Sequence, residues 1–473
     1  MGSSDTASRR GSAFAHLALI VVAAWLPFAA ALDAEFLDWD DGDLLVKNLA
    51  YRGFSFEHLR WMFTTTHMGP YQPLSWLSYA LDHAFGGMDA RVYHRTNLML
   101  HCVGSVALYF LARRVLGSLF TRPDPDAQAV SEPSVERALS TPAAPSSFAG
   151  FGALATALLF ALHPLRVESV VWCTERRDVL AAPFFFLALH AWWGYATRPN
   201  RRDYALALVL LLLSLLAKAS AMVMPALLVV LDLGPLREAA RARGLRRLVL
   251  EKLPVLALVI PFMWIAAVGQ AKSAALATYD QHALVTRVLH AGYAAAWYVA
   301  RMTWPSGLHA LHRSPPPEAF LEPRILLPAS AALALTIAAV FLRRRVPAFT
   351  WAWFAYLVIL APVSGLVKNG YHLVAERYSH LACVPFALLA GAGLAAVASR
   401  SRRLAWGVLV LAAAPLAWRT REYVRVWCDS RSLWTHTLAH DPDNDTALGN
   451  LAALELETAQ TLRDTGEAWD TML

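Results

Sequence analysis

Apolar stretches long enough to cross a bilayer recur along this chain, and arginines crowd between them. A hydrocarbon core of about 30 Å asks for roughly 20 apolar residues per helix. Eleven candidate spans meet or approach that length: Phe14 to Leu32, Thr96 to Leu116, Phe151 to Leu162, Val179 to Ala196, Tyr204 to Ala217, Ala221 to Leu233, Leu253 to Gly269, Ile325 to Leu342, Phe349 to Leu366, Tyr378 to Ala398 and Leu404 to Trp418. With 57% hydrophobic and only 16% charged residues in 473, the chain is too apolar for soluble domains and too apolar for disorder. Four cysteines, mostly inside apolar runs and without a CxxC pair, argue against a disulfide scaffold or a thiolate metal site. The expected fold is an all-α polytopic membrane protein with about eleven transmembrane helices.

The basic residues orient these spans. Arg9 and Arg10 precede the first and place the N-terminus in the cytoplasm. Counting onward, Arg113 and Arg114, Arg198 to Arg202, Arg237 to Lys252, Arg343 to Arg345 and Arg400 to Arg403 all fall inside. The net charge of +7 is therefore topological and implies no nucleic-acid partner. A twelfth apolar stretch, Leu284 to Trp304, carries Arg287, His290 and Arg301 and is read as an interfacial or re-entrant helix pair, because a crossing there would put Arg343 to Arg345 outside. The first span reads as an anchor; the small residues from Ala29 to Ala34 leave a cleaved signal as the alternative.

Residues 1–418 form the expected transmembrane domain, with 33–93 as a first outer loop, 117–149 as a cytoplasmic linker and 271–324 as an outer interfacial loop. The linker is rich in Pro, Ala, Ser and acidic residues between Thr121 and Ser147. Residues 419–473 form an external tail whose helical pattern is broken at Asp441-Pro442-Asp443, which predicts a helix-turn-helix unit. From Phe54 to Gly87, aromatic residues at helical spacing are interrupted between His67 and Pro73, which predicts two helices lying on the membrane surface.

Charges at membrane depth are costly, so those near span ends on one side are functional candidates. Asp38, Asp40, Asp41 and Asp43 follow the first span beside Trp39. Like charges so close raise one another's pKa. They suit a general base for a hydroxyl nucleophile or a divalent-cation site, although Asp43 also fits as a plain cap of a helix beginning at Leu44. Glu175-Arg176-Arg177-Asp178 opens the fourth span, Lys218 ends the fifth, and Glu376-Arg377-Tyr378 opens the tenth, all on the outer side. Guanidinium forks match phosphate oxygens, and ordinary helical ion pairing accounts equally well for any one of these residues alone.

Several motifs occur together and in order: Trp39-Asp40-Asp41, Phe63-Thr64-Thr65-Thr66-His67, Pro73 to Ser78, His94 to His101, His163-Pro164, Val167 to Val170, Arg177-Asp178, Ala217-Lys218 and Glu376-Arg377-Tyr378. In that order the chain resembles the family of transmembrane and tetratricopeptide-repeat proteins, from about Phe36 to Asn450. The resemblance implies a GT-C glycosyltransferase fold, similar to that of protein O-mannosyltransferases, and a polyprenyl-phosphate-linked sugar donor. It places the catalytic acidic pair on Asp40 and Asp41, and the donor phosphate on Arg177, Lys218 and Arg377. Asp43, His94, His163, Glu168, Asp178 and Glu376 are expected to support them. Two departures stand out: Ala219 follows Lys218 where many relatives have an acidic residue, and the tail has room for little more than one repeat. A single repeat cannot bury its own core, so either the chain is a truncated relative or the tail packs on the membrane domain.

The expected activity is inverting transfer of a sugar, mannose by resemblance, to a hydroxyl of protein or glycan on the non-cytoplasmic face. A polyprenyl-linked sugar transporter is the alternative. No cofactor is expected, and a divalent metal is not required where cations offset the leaving phosphate. The partners would be the polyprenyl-phosphate sugar, the acceptor and membrane lipid. The expected location is a bacterial inner membrane, with site and C-terminus on the periplasmic side.

Overall fold

A computed structural model describes residues 2–120, 147–272, 283–366 and 372–465. Residues 121–146 of the expected linker, 273–282 of the expected interfacial loop and 466–473 of the tail lie outside the described residues. The chain is all-α apart from one two-stranded antiparallel ladder, β1 (His312–Arg313) with β2 (His372–Val374).

Among the described residues, five of the eleven expected spans meet the length and apolarity that crossing needs, and eight do when each bent helix pair counts as one span. Five are single helices, Ala13–Asp33, Ala90–Ser118, Cys173–Thr197, Leu245–Ala271 and Pro323–Phe341. Three are bent pairs: Phe148–Ala161 with Pro164–Val171, Ala219–Leu233 with Arg237–Arg243, and Glu376–Ala382 with Val384–Ala398. The other three runs are helical as well, but Arg201–Ala217 and Pro347–Leu360 are short, and Arg402–Val426 carries arginines at both ends. Leu284–Thr303 is one continuous helix where a pair was expected. No proline interrupts it, and Gly292 is packed close against Ala329 of the neighbouring helix rather than marking a break.

Small residues set the closest crossing. A Cβ at Gly152 would lie 2.7 Å from the Gly391 carbonyl oxygen, and one at Gly391 would lie 2.4 Å from that of Gly152. Helices Ser147–Ala161 and Val384–Ala398 therefore pack backbone to backbone, as small residues permit in lipid. The two expected surface helices are present as Phe56–Thr64, capped by Ser55 accepting from the His58 amide, and Pro73–Gly86, which starts on a proline suited to the first helical turn. Phe56 and Phe85, 79% and 83% exposed, face outward, as expected of helices lying on a bilayer.

The tail forms Ser430–His440 and Asp445–Thr465, broken at the expected turn. It packs on the membrane domain. The Glu35 amide donates to the Cys428 carbonyl at 2.8 Å, and the Asp38 amide donates to Ser430 Oγ at 2.6 Å. Arg313 grips Asp441 with two nitrogens, at 2.9 and 2.7 Å, and Asn444 donates to the Leu311 carbonyl at 3.1 Å. Trp434, fully buried, reaches the edge of Trp39, with ring centroids 5.2 Å apart. The core that one repeat lacks is thus supplied by the loop after the first span.

Candidate active site

The acidic loop presents its two neighbouring aspartates to different surroundings. Asp41 is fully buried, and both its oxygens are engaged: one accepts from the Leu37 amide at 3.0 Å, the other from the Thr174 amide at 2.9 Å and from the Thr174 hydroxyl. Asp41 therefore clamps its loop to the turn before Arg176–Thr197. Asp40 is half-buried, and among the described residues no hydrogen bond or ion pair reaches its carboxylate. Burial raises its pKa, and the charges of Arg177 and Arg377 pull it back down. A carboxylate with free lone pairs and increased basicity is chemically suited to take a proton.

Burial also carries the Asp41 carboxyl from 3.8 up to about 6, against the pull of its three donors. Between these values the folded chain holds a proton that the unfolded chain has released, so stability falls as pH rises from about 4 through about 6, by about 3 kcal/mol at this site. Asn at this position stays neutral throughout. The thermal stability of wild type relative to Asp41→Asn should therefore drop between pH 4 and pH 7; a difference independent of pH would mean that the group never titrates there.

Beside Asp40 lies a buried array of alternating charge. Glu175, with no exposed side chain, accepts from Arg177 through both its oxygens and from Lys218 Nζ at 3.1 Å, and forms an ion pair with Arg377 Nε at 3.3 Å. Glu168 takes the backbone amide of Arg377 at 2.7 Å and its guanidinium. Asp178 takes Lys218 Nζ at 2.8 Å and the Ser169 hydroxyl at 3.2 Å. Three carboxylates and three cations balance. Arg177, Lys218 and Arg377 keep 14%, 19% and 8% of their side chains exposed, so each retains a face for another anion. The Arg377 guanidinium also lies 5.5 Å over Trp172, whose other neighbour, Trp39, stacks on it at 4.3 Å. Buried ion pairs add little net stability but hold groups in fixed places.

The structure thus gathers Asp40, Arg177, Lys218, Arg377, Glu168 and Asp178. The other expected residues have partners outside this array. Asp43 is exposed and pairs with Lys47 at 2.9 Å. His94 faces the Glu35 carbonyl at 3.2 Å, and His163 accepts from the Leu165 amide, starting a helical turn. Glu376 accepts from Tyr423 at 3.0 Å. Arg176 points away, into Asp82 at 2.5 Å, Asn97 and the Tyr93 carbonyl, and its side chain has no exposure. Glu175, at the centre of the array, was given no role by the sequence; its adjacency to Arg177 was legible, but its convergence with Lys218 and Arg377 was not. Among the described residues no group of three or more His, Cys, Asp or Glu is arranged to hold a metal ion, and Asp40, Asp41 and Asp43 do not converge on one.

Fold and site together define a predominantly helical integral membrane protein in which an unpartnered carboxylate adjoins a cation array at one end of its spans. No family model matches the chain. Its sequence is similar to protein O-mannosyl-transferase Tmtc1 of Drosophila melanogaster, 28% identical over 153 residues, covering 32% of this chain and 14% of that protein. Protein O-mannosyl-transferase TMTC2 of Mus musculus is 28% identical over 132 residues, 27% of this chain and 12% of its own. Protein O-mannosyl-transferase TMTC1 of Homo sapiens is 28% identical over 201 residues, 40% of this chain and 19% of its own. The matched stretches thus cover less than a quarter of these relatives' length. Among solved structures, ArnT from Cupriavidus metallidurans bound to undecaprenyl phosphate aligns with 94% of this chain and 72% of its own, with a TM-score of 0.40 and 14% identity.

Proposed function

We propose that this protein is an inverting membrane glycosyltransferase of the GT-C type that moves mannose from a polyprenyl-phosphate donor to a hydroxyl of a protein on the non-cytoplasmic face. The observation that carries this reading is the Asp40 carboxylate, unpartnered among the described residues and facing Arg177 and Arg377. The relatives named protein O-mannosyl-transferases support the sugar and the acceptor class.

In this reading Asp40 takes the proton of the acceptor hydroxyl as its oxygen attacks the anomeric carbon. The bond from that carbon to the phosphate oxygen breaks, and the polyprenyl phosphate leaves with its electron pair. A single displacement inverts the anomeric centre. Arg177, Lys218 and Arg377 offset the charge that grows on the phosphate, and such preset cations act most strongly where water is excluded. They supply the positive charge that a metal would otherwise bring. Asp41 holds the loop that aims Asp40, and Glu168, Glu175 and Asp178 hold the cations.

The test is transfer of labelled mannose from polyprenyl-phosphate-mannose to membrane-protein acceptors by the purified full chain in detergent. Labelled protein bearing α-linked or β-linked mannose of opposite configuration to the donor is the expected product. Absence of transfer by protein shown to be folded overturns the reading.

A further inference from the structure

A second charged site lies at the other end of Arg176–Thr197. Eighteen residues separate Arg177 from Tyr195, roughly 27 Å of helix rise at about 1.5 Å per residue. That approaches the ~30 Å hydrocarbon thickness, so the two sites sit near opposite membrane surfaces. A groove of about 620 Å³ is lined there by Tyr195, Tyr204, Arg243, Arg246, Arg247 and Glu251.

The floor of this groove is electrically settled. Arg243 pairs with Asp232 at 2.8 Å and with Glu251, and Lys252 pairs with Asp232 at 2.5 Å. The Tyr195 hydroxyl donates to Glu251 at 2.9 Å, and that of Tyr204 donates to the Glu251 carbonyl at 2.9 Å. The rim is different. Arg246 and Arg247 are exposed, and among the described residues neither has a carboxylate partner; the Arg247 guanidinium rests 5.9 Å from the Tyr195 ring centroid. Between and beside them Leu245 and Leu250 are 78% and 52% exposed. The outward apolar face continues along Leu253–Lys272 through Leu256, Ile260 and Trp264. Two exposed guanidinium groups that no carboxylate neutralises among the described residues, one of them touching the Tyr195 side chain, stand above an exposed apolar ramp and make an amphipathic receptor. A small anion would use the arginines and leave the leucines in water; a lipid uses both.

We propose that this groove binds an anionic phospholipid, its headgroup phosphodiester between Arg246 and Arg247 and its acyl chains against Leu245, Leu250 and the face beyond them. Forked guanidinium contacts suit a phosphodiester, and basic pockets at the membrane surface hold such headgroups. The site shares no residue with the proposed transfer chemistry and stands whether or not that chemistry is found.

The experiment is native mass spectrometry of the full chain in neutral detergent, titrated with phosphatidylglycerol, with phosphatidylcholine or with inorganic phosphate. One tightly retained phosphatidylglycerol is expected, with phosphatidylcholine at least tenfold weaker. Arg246→Gln/Arg247→Gln should lose about tenfold or more in phosphatidylglycerol affinity while keeping its elution volume and thermal unfolding, since both side chains are exposed and bear no ion pair. Leu245→Asn should weaken phosphatidylglycerol as well. Equal retention of the two lipids, or an unaffected arginine variant, overturns the proposal. Displacement of phosphatidylglycerol by millimolar inorganic phosphate, with Leu245→Asn without effect, also overturns it and assigns the groove to a free phosphate anion.

Discussion

Replacing Asp40 with Asn is expected to lower mannose transfer by about 10²- to 10⁴-fold, the range typical of a lost general base, with little change in thermal stability. The separation of the two effects follows from its surroundings. Among the described residues no group donates a hydrogen bond to the Asp40 carboxylate, so the amide leaves no partner stranded. Asp41→Asn, in contrast, turns an amide nitrogen toward donors from Leu37 and Thr174 and should cost stability along with activity. The comparison is made by turnover and thermal unfolding on the same purified samples. Full turnover in Asp40→Asn would remove it from the chemistry, and a collapse of stability would recast it as a structural acid.

Substitution of Glu175 by Gln should have the largest effect on the fold. It removes the negative charge shared by Arg177, Lys218 and Arg377 and puts an NH2 donor in place of one acceptor oxygen, leaving three cations against Glu168 and Asp178. Removing one member of a buried charge network typically costs about 3–5 kcal/mol, chiefly through the charge left behind. Adding Lys218→Met to Glu175→Gln restores neutrality and should recover much of that stability. Turnover should stay low, because the donor phosphate then loses one cation and the other two lose their anchor. Coupling between the two sites is read from a double-mutant cycle on thermal unfolding. Strictly additive effects would show that Glu175 and Lys218 act independently. Full activity in the double variant would show that the array plays no part in donor binding.

The membrane helices, the pair of surface helices and the tail's broken helix were legible because each depends on patterns local in the sequence. Apolar length, an interruption between His67 and Pro73 or a proline between two aspartates is read without knowing what lies across the fold. The places of the three cations at span ends were legible in the same way, while their choice as phosphate contacts came from the family resemblance. What no local pattern carried was the division of labour between adjacent aspartates. Asp40 and Asp41 differ in their surroundings because Thr174, 133 residues away, occupies one of them. The same holds for Glu175, whose three partners come from its own turn, from residue 218 and from residue 377. Leu284–Thr303 differs from the reading in one respect. It was read as a pair because a crossing there would put Arg343 to Arg345 outside, yet it is one unbroken helix with Arg287 and His290 buried. The ladder of β1 with β2 escaped notice because strands of two and three residues leave no periodicity to read.

The docking of the tail onto the acidic loop links two parts of the molecule in a reciprocal way. Two backbone amides of the loop, at Glu35 and Asp38, end on Cys428 and Ser430, and Asp38 is only two residues from Asp40. Whatever binds the tail more tightly in its docked state must, by thermodynamic linkage, favour the ordered loop by the same factor, and whatever occupies the site and stiffens the loop must hold the tail down equally. The tail is in this sense a handle on the acidic loop, through which anything held at one end sets the order of the other.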